Sequence, residues 1–245
     1  MLRMLSLILG LPALALVSWL ALGTPPQRAD FVLTSSEPRT LDPQRVSWIP
    51  EIQIANALFE GLTRFNPETM LPEPAVATRW ETSDDQTRWT FHLRPEARWS
   101  NGEAVTAENF RFAWLRALDP AIGAQYASLL FVIQGAEEYY RSRLNDDPAD
   151  DRSPQTVGVA VADRHTLCVH LAAPCSYFLD LTSFPTFAPV HPPTLEKWVY
   201  RDGRPLPHQQ HLWTRPANIV CNGAFILNRW DFRQRILLLR NPHYW

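Results

Sequence analysis

Apolar and polar residues alternate from Arg88 to Arg94, with Trp89, Phe91 and Leu93 on one side and Arg88, Thr90, His92 and Arg94 on the other. That period of two predicts a strand with one buried face. Past a turn at Ser100-Asn-Gly102 the period lengthens: Phe110, Ala113, Trp114 and Ala117 recur at helical spacing, behind Thr106 as a cap and ahead of Asp119-Pro120 as a stop. The strand face and the helix stripe match in size, so Trp89, Phe91, Leu93, Phe110 and Trp114 are expected to share one core. An earlier helix is expected over 50–61, with Pro50 at its start, Ile52, Ala55 and Phe59 on its apolar face, and Gly61 as its stop. Residues 125–144 read as a further helical region and 176–182 as a short helix. Ala29 to Thr34 predicts a short strand, broken off from the downstream chain by Pro38 and Pro43. Two hairpins are expected, one pairing Val157, Val159 and Val161 with Leu167, Val169 and Leu171, the other pairing 224–230 with 235–240. Pro185 to Pro193 is too rich in proline for regular structure. Strands and helices do not alternate strictly, so a mixed α+β fold is expected in place of a doubly wound sheet.

The N-terminus has a different pattern. Arg3 precedes an unbroken apolar run from Leu5 to Leu22, which ends in the small-x-small sequence Ala21-Leu-Gly23 and is followed by Thr24-Pro-Pro26. Residues 1–23 therefore read as an export signal cleaved near Thr24, or, since the run is nearly long enough to span a bilayer, as an uncleaved anchor. No Cys lies nearby to take a lipid.

Composition narrows the class. The 245 residues are 46% hydrophobic and 20% charged, enough for one large or two small globular domains and inconsistent with disorder or a coiled coil. The 23 basic residues are scattered singly and balanced by 25 acidic ones, which argues against a nucleic-acid partner. Three cysteines, Cys168, Cys175 and Cys221, leave room for one disulfide with a spare thiol, though three buried apolar thiols are the simpler reading. No phosphate-cradling glycine loop, nucleophile elbow or His-Glu-x-x-His pair occurs. His208 and His211 are separated from a helical register by Pro205 and Pro207, and the acidic run from Asn145 to Asp151 lacks the glycine and spaced ligands of a calcium loop. Glu51, Glu60 and Glu108 are candidate acids or bases that nothing in the sequence brings together.

A series of motifs in order carries more information. Glu37-Pro-Arg-Thr-Leu-Asp-Pro43, Leu58-Phe-Glu-Gly-Leu62, Trp89-Thr-Phe-His-Leu-Arg94, Trp99-Ser-Asn-Gly102, Val105-Thr-Ala107 with Phe110, Trp114 and Asp119-Pro120, Pro216-Ala-Asn-Ile-Val220 with Asn222-Gly223, and Arg240-Asn-Pro-His-Tyr-Trp245 resemble the family 5 solute-binding proteins of bacterial ABC importers, oligopeptide binders above all. Asn101 and Asn109 stand where the family commonly has Asp.

The resemblance implies the first lobe of a two-lobed periplasmic binding protein over 24–245, without its second lobe. It implies a periplasmic, non-enzymatic, monomeric receptor that needs no cofactor, captures oligopeptides and delivers them to ABC permease subunits. By position, Ser47, Trp48 and Ile49 resemble the segment that lines the peptide backbone, and Tyr126 an aromatic wall of the same cleft. Ser47 replaces an acidic residue of the peptide binders, which argues against a tight contact there to a charged ligand group. Nickel chelates and oligosaccharides are other ligands within the family. Family members are about twice as long, and an ending on a strand-exit motif reads as a piece of a longer frame. The alternatives are a membrane-anchored sensory or interaction module built on a truncated lobe, and a secreted glycoside-active enzyme.

Overall fold

The computed structural model describes residues 29–144 and 152–245. The segment expected to be an export signal or anchor, 1–23, and the acidic run from Asn145 to Asp151 lie outside the described residues. The chain divides into two units, 1–35 and 36–245. Within the first, residues 29–35 form no strand, against the expectation for Ala29 to Thr34: Phe31, Val32 and Leu33 are exposed, and β-branched, apolar sequence makes a strand only where a partner ladder exists.

The second unit is built on a four-stranded antiparallel sheet. Its strands are β3 (Ala77–Thr82), β4 (Arg88–Leu93), β5 (Val159–Asp163) and β6 (Thr166–His170), in the order β3-β4-β6-β5. Register puts Trp80 beside Phe91, Phe91 beside Leu167, and Trp89 beside Val169, itself paired with Val159. One face of the sheet is therefore a continuous apolar surface, as the period of two in 88–94 predicts. Helix α2 (Ala107–Ala117) turns Phe110, Ala113, Trp114 and Ala117 into the same core. Thr106 caps it, and Asn109 Oδ1 accepts both Thr106 N at 2.9 Å and the Trp99 indole N–H at 3.2 Å. Only the acceptor oxygen is used, which explains why Asn serves where Asp is common. Asn101 does the same in its turn, accepting Glu103 N at 3.1 Å.

Shorter elements close the core. Helix α4 (Phe178–Thr182) sets Phe178 against Trp89 and Phe91, with ring centroids 5.5 and 6.1 Å apart. The expected helix over 125–144 is instead a 3₁₀ segment (Ala127–Val132) and a short helix α3 (Ala136–Ser142). Gly135 divides them at φ 72°, and a Cβ there would collide with the Thr156 carbonyl oxygen. Pro185 to Pro193 contains a 3₁₀ turn (Pro185–Phe187) and the start of helix α5 (Pro192–Val199), whose two prolines occupy its first positions, where no amide is missed. The second expected hairpin is present as β9 (Phe225–Asp231) and β10 (Arg235–Arg240), with a bulge at Leu237/Leu238. Two small hairpins, β1 (Thr63–Phe65) with β2 (Pro72–Pro74) and β7 (Tyr200–Arg201) with β8 (Arg204–Pro205), complete the set. All three cysteines are free thiols.

Helix α1 (Ile49–Leu58) positions the candidate site. Ala55 faces the core as expected, and Leu58 does so too, whereas the expected Ile52 is only half-buried; the buried stripe begins instead with a charged residue, Glu51, and Ile49 at the helix start is 72% exposed. The helix ends at Leu58, so Phe59 is already extended backbone when it enters the core.

Candidate functional site

The segment before α1 is held from beneath. Arg116 of α2, fully buried, donates from Nη2 to Asp42 Oδ2 at 2.6 Å and from Nη1 to Asp42 Oδ1 at 3.2 Å. Its guanidinium also bonds Gln44, and Gln210 at 2.8 Å, while Asp42 accepts the Trp213 indole N–H at 3.3 Å. Asp42 further caps its own turn by accepting Gln44 N, and its carbonyl accepts Arg45 N and Val46 N. Breaking such a buried pair is far more costly than forming it is favourable, because it leaves a charge without a partner. The pair thus fixes where the chain emerges at Ser47.

Glu51 then fixes the emerging loop. Its Oε1 accepts Arg39 N at 2.9 Å and Arg39 Nε at 3.2 Å, and its Oε2 accepts Ser47 N at 3.0 Å and Trp48 N at 3.3 Å. Burial by itself raises the carboxyl pKa, but the amide bonds from Ser47 and Arg39, the Arg39 side chain and Trp48 N together hold it below the ordinary glutamate value. The amide of the N-cap residue Trp48 is thereby satisfied by the third residue of the helix, and the loop cannot relax without stranding these amides.

The four residues expected from sequence lie together. Tyr126 donates its hydroxyl to the Ser47 carbonyl at 3.3 Å and stands edge-on to Phe184, with centroids 5.2 Å apart. Trp48 is 53% exposed beside exposed Ile49, and the Arg39 guanidinium lies over the Trp48 ring at 4.5 Å. Ser47 Oγ accepts Arg39 Nη2 at 2.9 Å. Trp48 and Ile49 thus present adjacent aromatic and aliphatic surface to solvent on a hydrogen-bonded loop, surface that a ligand can cover. Arg39, Glu51 and Phe184 escape a reading of the sequence that looks for ligand contacts. Glu51 alone has a signal there, three residues after Trp48 at capping spacing.

Ser183, next to Phe184, lines a cavity of about 310 Å³ together with Asn56, Glu60, Arg64 and Tyr244. Glu60 accepts the Tyr244 hydroxyl at 2.8 Å and the Trp245 indole N–H at 3.1 Å, with Arg64 at 3.6 Å. Burial raises its pKa, against the Tyr244 bond, the Arg64 charge and the Trp245 bond. The Asn222 side chain bonds the Glu60 backbone in both directions. Three of the sequence motifs, 58–62, 222–223 and 240–245, meet at this one residue, the second through its backbone and the third through its carboxylate. Glu108, by contrast, is exposed and paired with Arg111, so Glu51, Glu60 and Glu108 occupy three separate settings and form no acid–base pair. His208 lies in a 3₁₀ turn (Pro207–Gln209), and among the described residues no group of three or more metal ligands occurs. No helix among the described residues is long and apolar enough to cross a membrane.

Comparison with known proteins gives the family and the fold. Residues 72–245 match the family model of bacterial extracellular solute-binding proteins, family 5 middle. The chain is 39% identical over 211 residues to the periplasmic oligopeptide-binding protein OppA of Salmonella typhimurium, covering 86% of this chain and 35% of that one. Among solved structures, Haemophilus influenzae OppA in complex with the peptide RPPGFSPFR superposes with a TM-score of 0.74 at 34% identity, covering 86% of this chain and 37% of that one. A periplasmic oligopeptide-binding protein of Borrelia burgdorferi gives a TM-score of 0.75 at 32% identity, covering 86% and 38%. The chain spans about a third of the length of these relatives. The matched residues 72–245 take in the sheet, α2 and the C-terminal partners of Glu60, and the chain belongs to the bacterial extracellular solute-binding proteins, family 5.

Proposed function

We propose that this chain is the ligand-contacting N-terminal lobe of an oligopeptide receptor, working outside the cytoplasmic membrane and handing its ligand to ABC permease subunits without catalysis. The observation that carries this is the face formed by Ser47, Trp48, Ile49 and Tyr126. Apolar side chains stand exposed there on backbone that Glu51 and the Arg116–Asp42 pair hold rigid. A rigid, half-apolar surface loses little conformational freedom on binding an extended chain, which favours weak side-chain selectivity. Relatives that bind oligopeptides support the same reading, and none favours a membrane-anchored interaction module.

The test is calorimetric titration of short peptides into the chain and into Trp48→Ala. Binding that weakens by about tenfold in the variant, worth roughly 1.4 kcal/mol, supports the reading. Binding that is indifferent to Trp48 removes this face from the site.

A further inference from the structure

Arg39 brings to this face a charge whose hydrogen-bonding capacity is partly unused. A guanidinium has five N–H donors in a fixed plane. Nε is spent on Glu51 and Nη2 donates to Ser47 Oγ, whereas Nη1 makes no hydrogen bond among the described residues. The side chain is 59% exposed, while its partner Glu51 is 1% exposed beneath the loop. Three backbone amides fill most of the acceptor positions on Glu51, so only one donor of the guanidinium is engaged there. The outer edge of the guanidinium therefore faces solvent as a cation, its plane steadied by the Trp48 ring at 4.5 Å. Exposed Ile49 and Trp48 lie alongside it.

We infer that this face selects peptides that bring a carboxylate to the open edge of Arg39 while an apolar part of the ligand covers Trp48 and Ile49. This rests on the peptide-receptor reading above and names the ligand chemistry of that site. Arginine suits the task because its planar donors meet a carboxylate two at a time, and because stacking on Trp48 has already removed much of its rotamer freedom. The carboxylate has two sources in a peptide, an acidic side chain or the free C-terminus.

Four probes separate them: Ala-Glu-Ala and Ala-Gln-Ala, each as the free acid and as the C-terminal amide. They are titrated into the wild-type chain and into Arg39→Gln and Arg39→Lys, following the Trp48 indole N–H by NMR, which reports weak binding. A carboxylate-bearing probe is expected to bind about fivefold more tightly than the doubly neutral one at low salt, the upper range for an exposed ion pair. Comparing the two singly charged probes identifies the source. Arg39→Gln is expected to abolish the preference, read as the ratio of charged-probe to neutral-probe affinity within that variant, while Arg39→Lys keeps part of it, since charge remains without the fork or the stack. In the wild type, the preference should also shrink as salt is raised to about 0.5 M, where screening is short-ranged. Equal affinities for all four probes, a preference that survives Arg39→Gln, or one insensitive to salt overturns the inference and leaves peptide binding standing. Failure of all four to bind overturns the peptide reading itself and this inference with it.

Discussion

Glu51 and Glu60 are both buried carboxylates near α1, and they are driven in opposite directions. Glu51 accepts three backbone amides and a guanidinium, so its charged form is favoured in spite of burial. Glu60 has a hydroxyl, an indole N–H and a more distant arginine, and burial prevails. Linkage gives the signs. A carboxyl whose folded pKa is depressed contributes stability that is present above its unfolded pKa and lost as pH falls through the folded value. One whose folded pKa is raised contributes stability below its unfolded pKa that is lost as pH rises through the folded value. Glu51→Gln is therefore expected to cost about 1–3 kcal/mol at neutral pH, the range for stranding buried amide partners. That cost should fade on acidification below the ordinary glutamate value of 4.5, where the wild type loses the same stabilisation. Glu60→Gln keeps an acceptor for Tyr244 and removes a charge that burial disfavours, which offsets the loss of the acceptor for the Trp245 indole N–H, so it should cost less than about 1 kcal/mol. Urea unfolding of both variants at neutral and acid pH measures this. A Glu60→Gln loss as large as that of Glu51→Gln at neutral pH would contradict the assignment of opposite roles.

At the scale of elements, how much the sequence discloses depends on which interactions are local. The period of two in 88–94, the Thr106 cap and the Asp119-Pro120 stop are read within a few residues of where they act, and β4 and α2 lie where they predict. The hairpins 159–170 and 225–240 are legible for the same reason. The strand expected at Ala29 to Thr34 fails because strand formation depends on a partner, which no local pattern supplies. Helix α5 is hidden because Pro192 and Pro193 look like breakers when their position in the first turn is unknown. The candidate site divides in the same way. Ser47 to Ile49 and Tyr126 are reached through ordered motifs, whereas Arg39 and Phe184 join them only through contacts that the fold creates. Gly135 shows how a distant contact decides a local break. Its φ of 72° and the Thr156 carbonyl, which a Cβ would strike, interrupt what periodicity alone reads as one helix over 125–144. Gly135→Ala is accordingly expected to destabilise the fold by roughly 1–3 kcal/mol, strain and collision acting together. Thermal unfolding checks it, and an unchanged or raised melting temperature would mean that Thr156 yields freely and that the break has another cause.

At the scale of the whole molecule, the two kinds of aromatic residue should separate when binding and stability are measured side by side. Trp114 is fully buried, donates its indole N–H to the Phe187 carbonyl at 2.8 Å and meets the Phe187 ring edge-on at 5.3 Å. Tyr126 is half-buried, and its hydroxyl reaches the Ser47 carbonyl at the edge of the exposed Trp48–Ile49 surface. On the proposed reading the chain supplies one wall of a peptide site, and a site open on one side leaves the ligand's hydrogen bonds half wet. Peptide binding by this chain, spanning about a third of its relatives, is therefore expected near the millimolar range, about -4 kcal/mol. Tyr126→Ala should weaken that binding several-fold while moving stability by about 1 kcal/mol or less, one partly exposed hydrogen bond and an edge contact being lost. Trp114→Ala should leave a cavity and a stranded carbonyl that cost roughly 3–5 kcal/mol, with intrinsic affinity unchanged in whatever fraction remains folded. Titration calorimetry paired with denaturant unfolding on both variants tests the separation. If Tyr126→Ala lowers stability as much as Trp114→Ala and leaves affinity alone, Tyr126 is a core residue and the site does not extend to it; micromolar binding by the chain would mean that one lobe suffices and that enclosure is not the source of affinity.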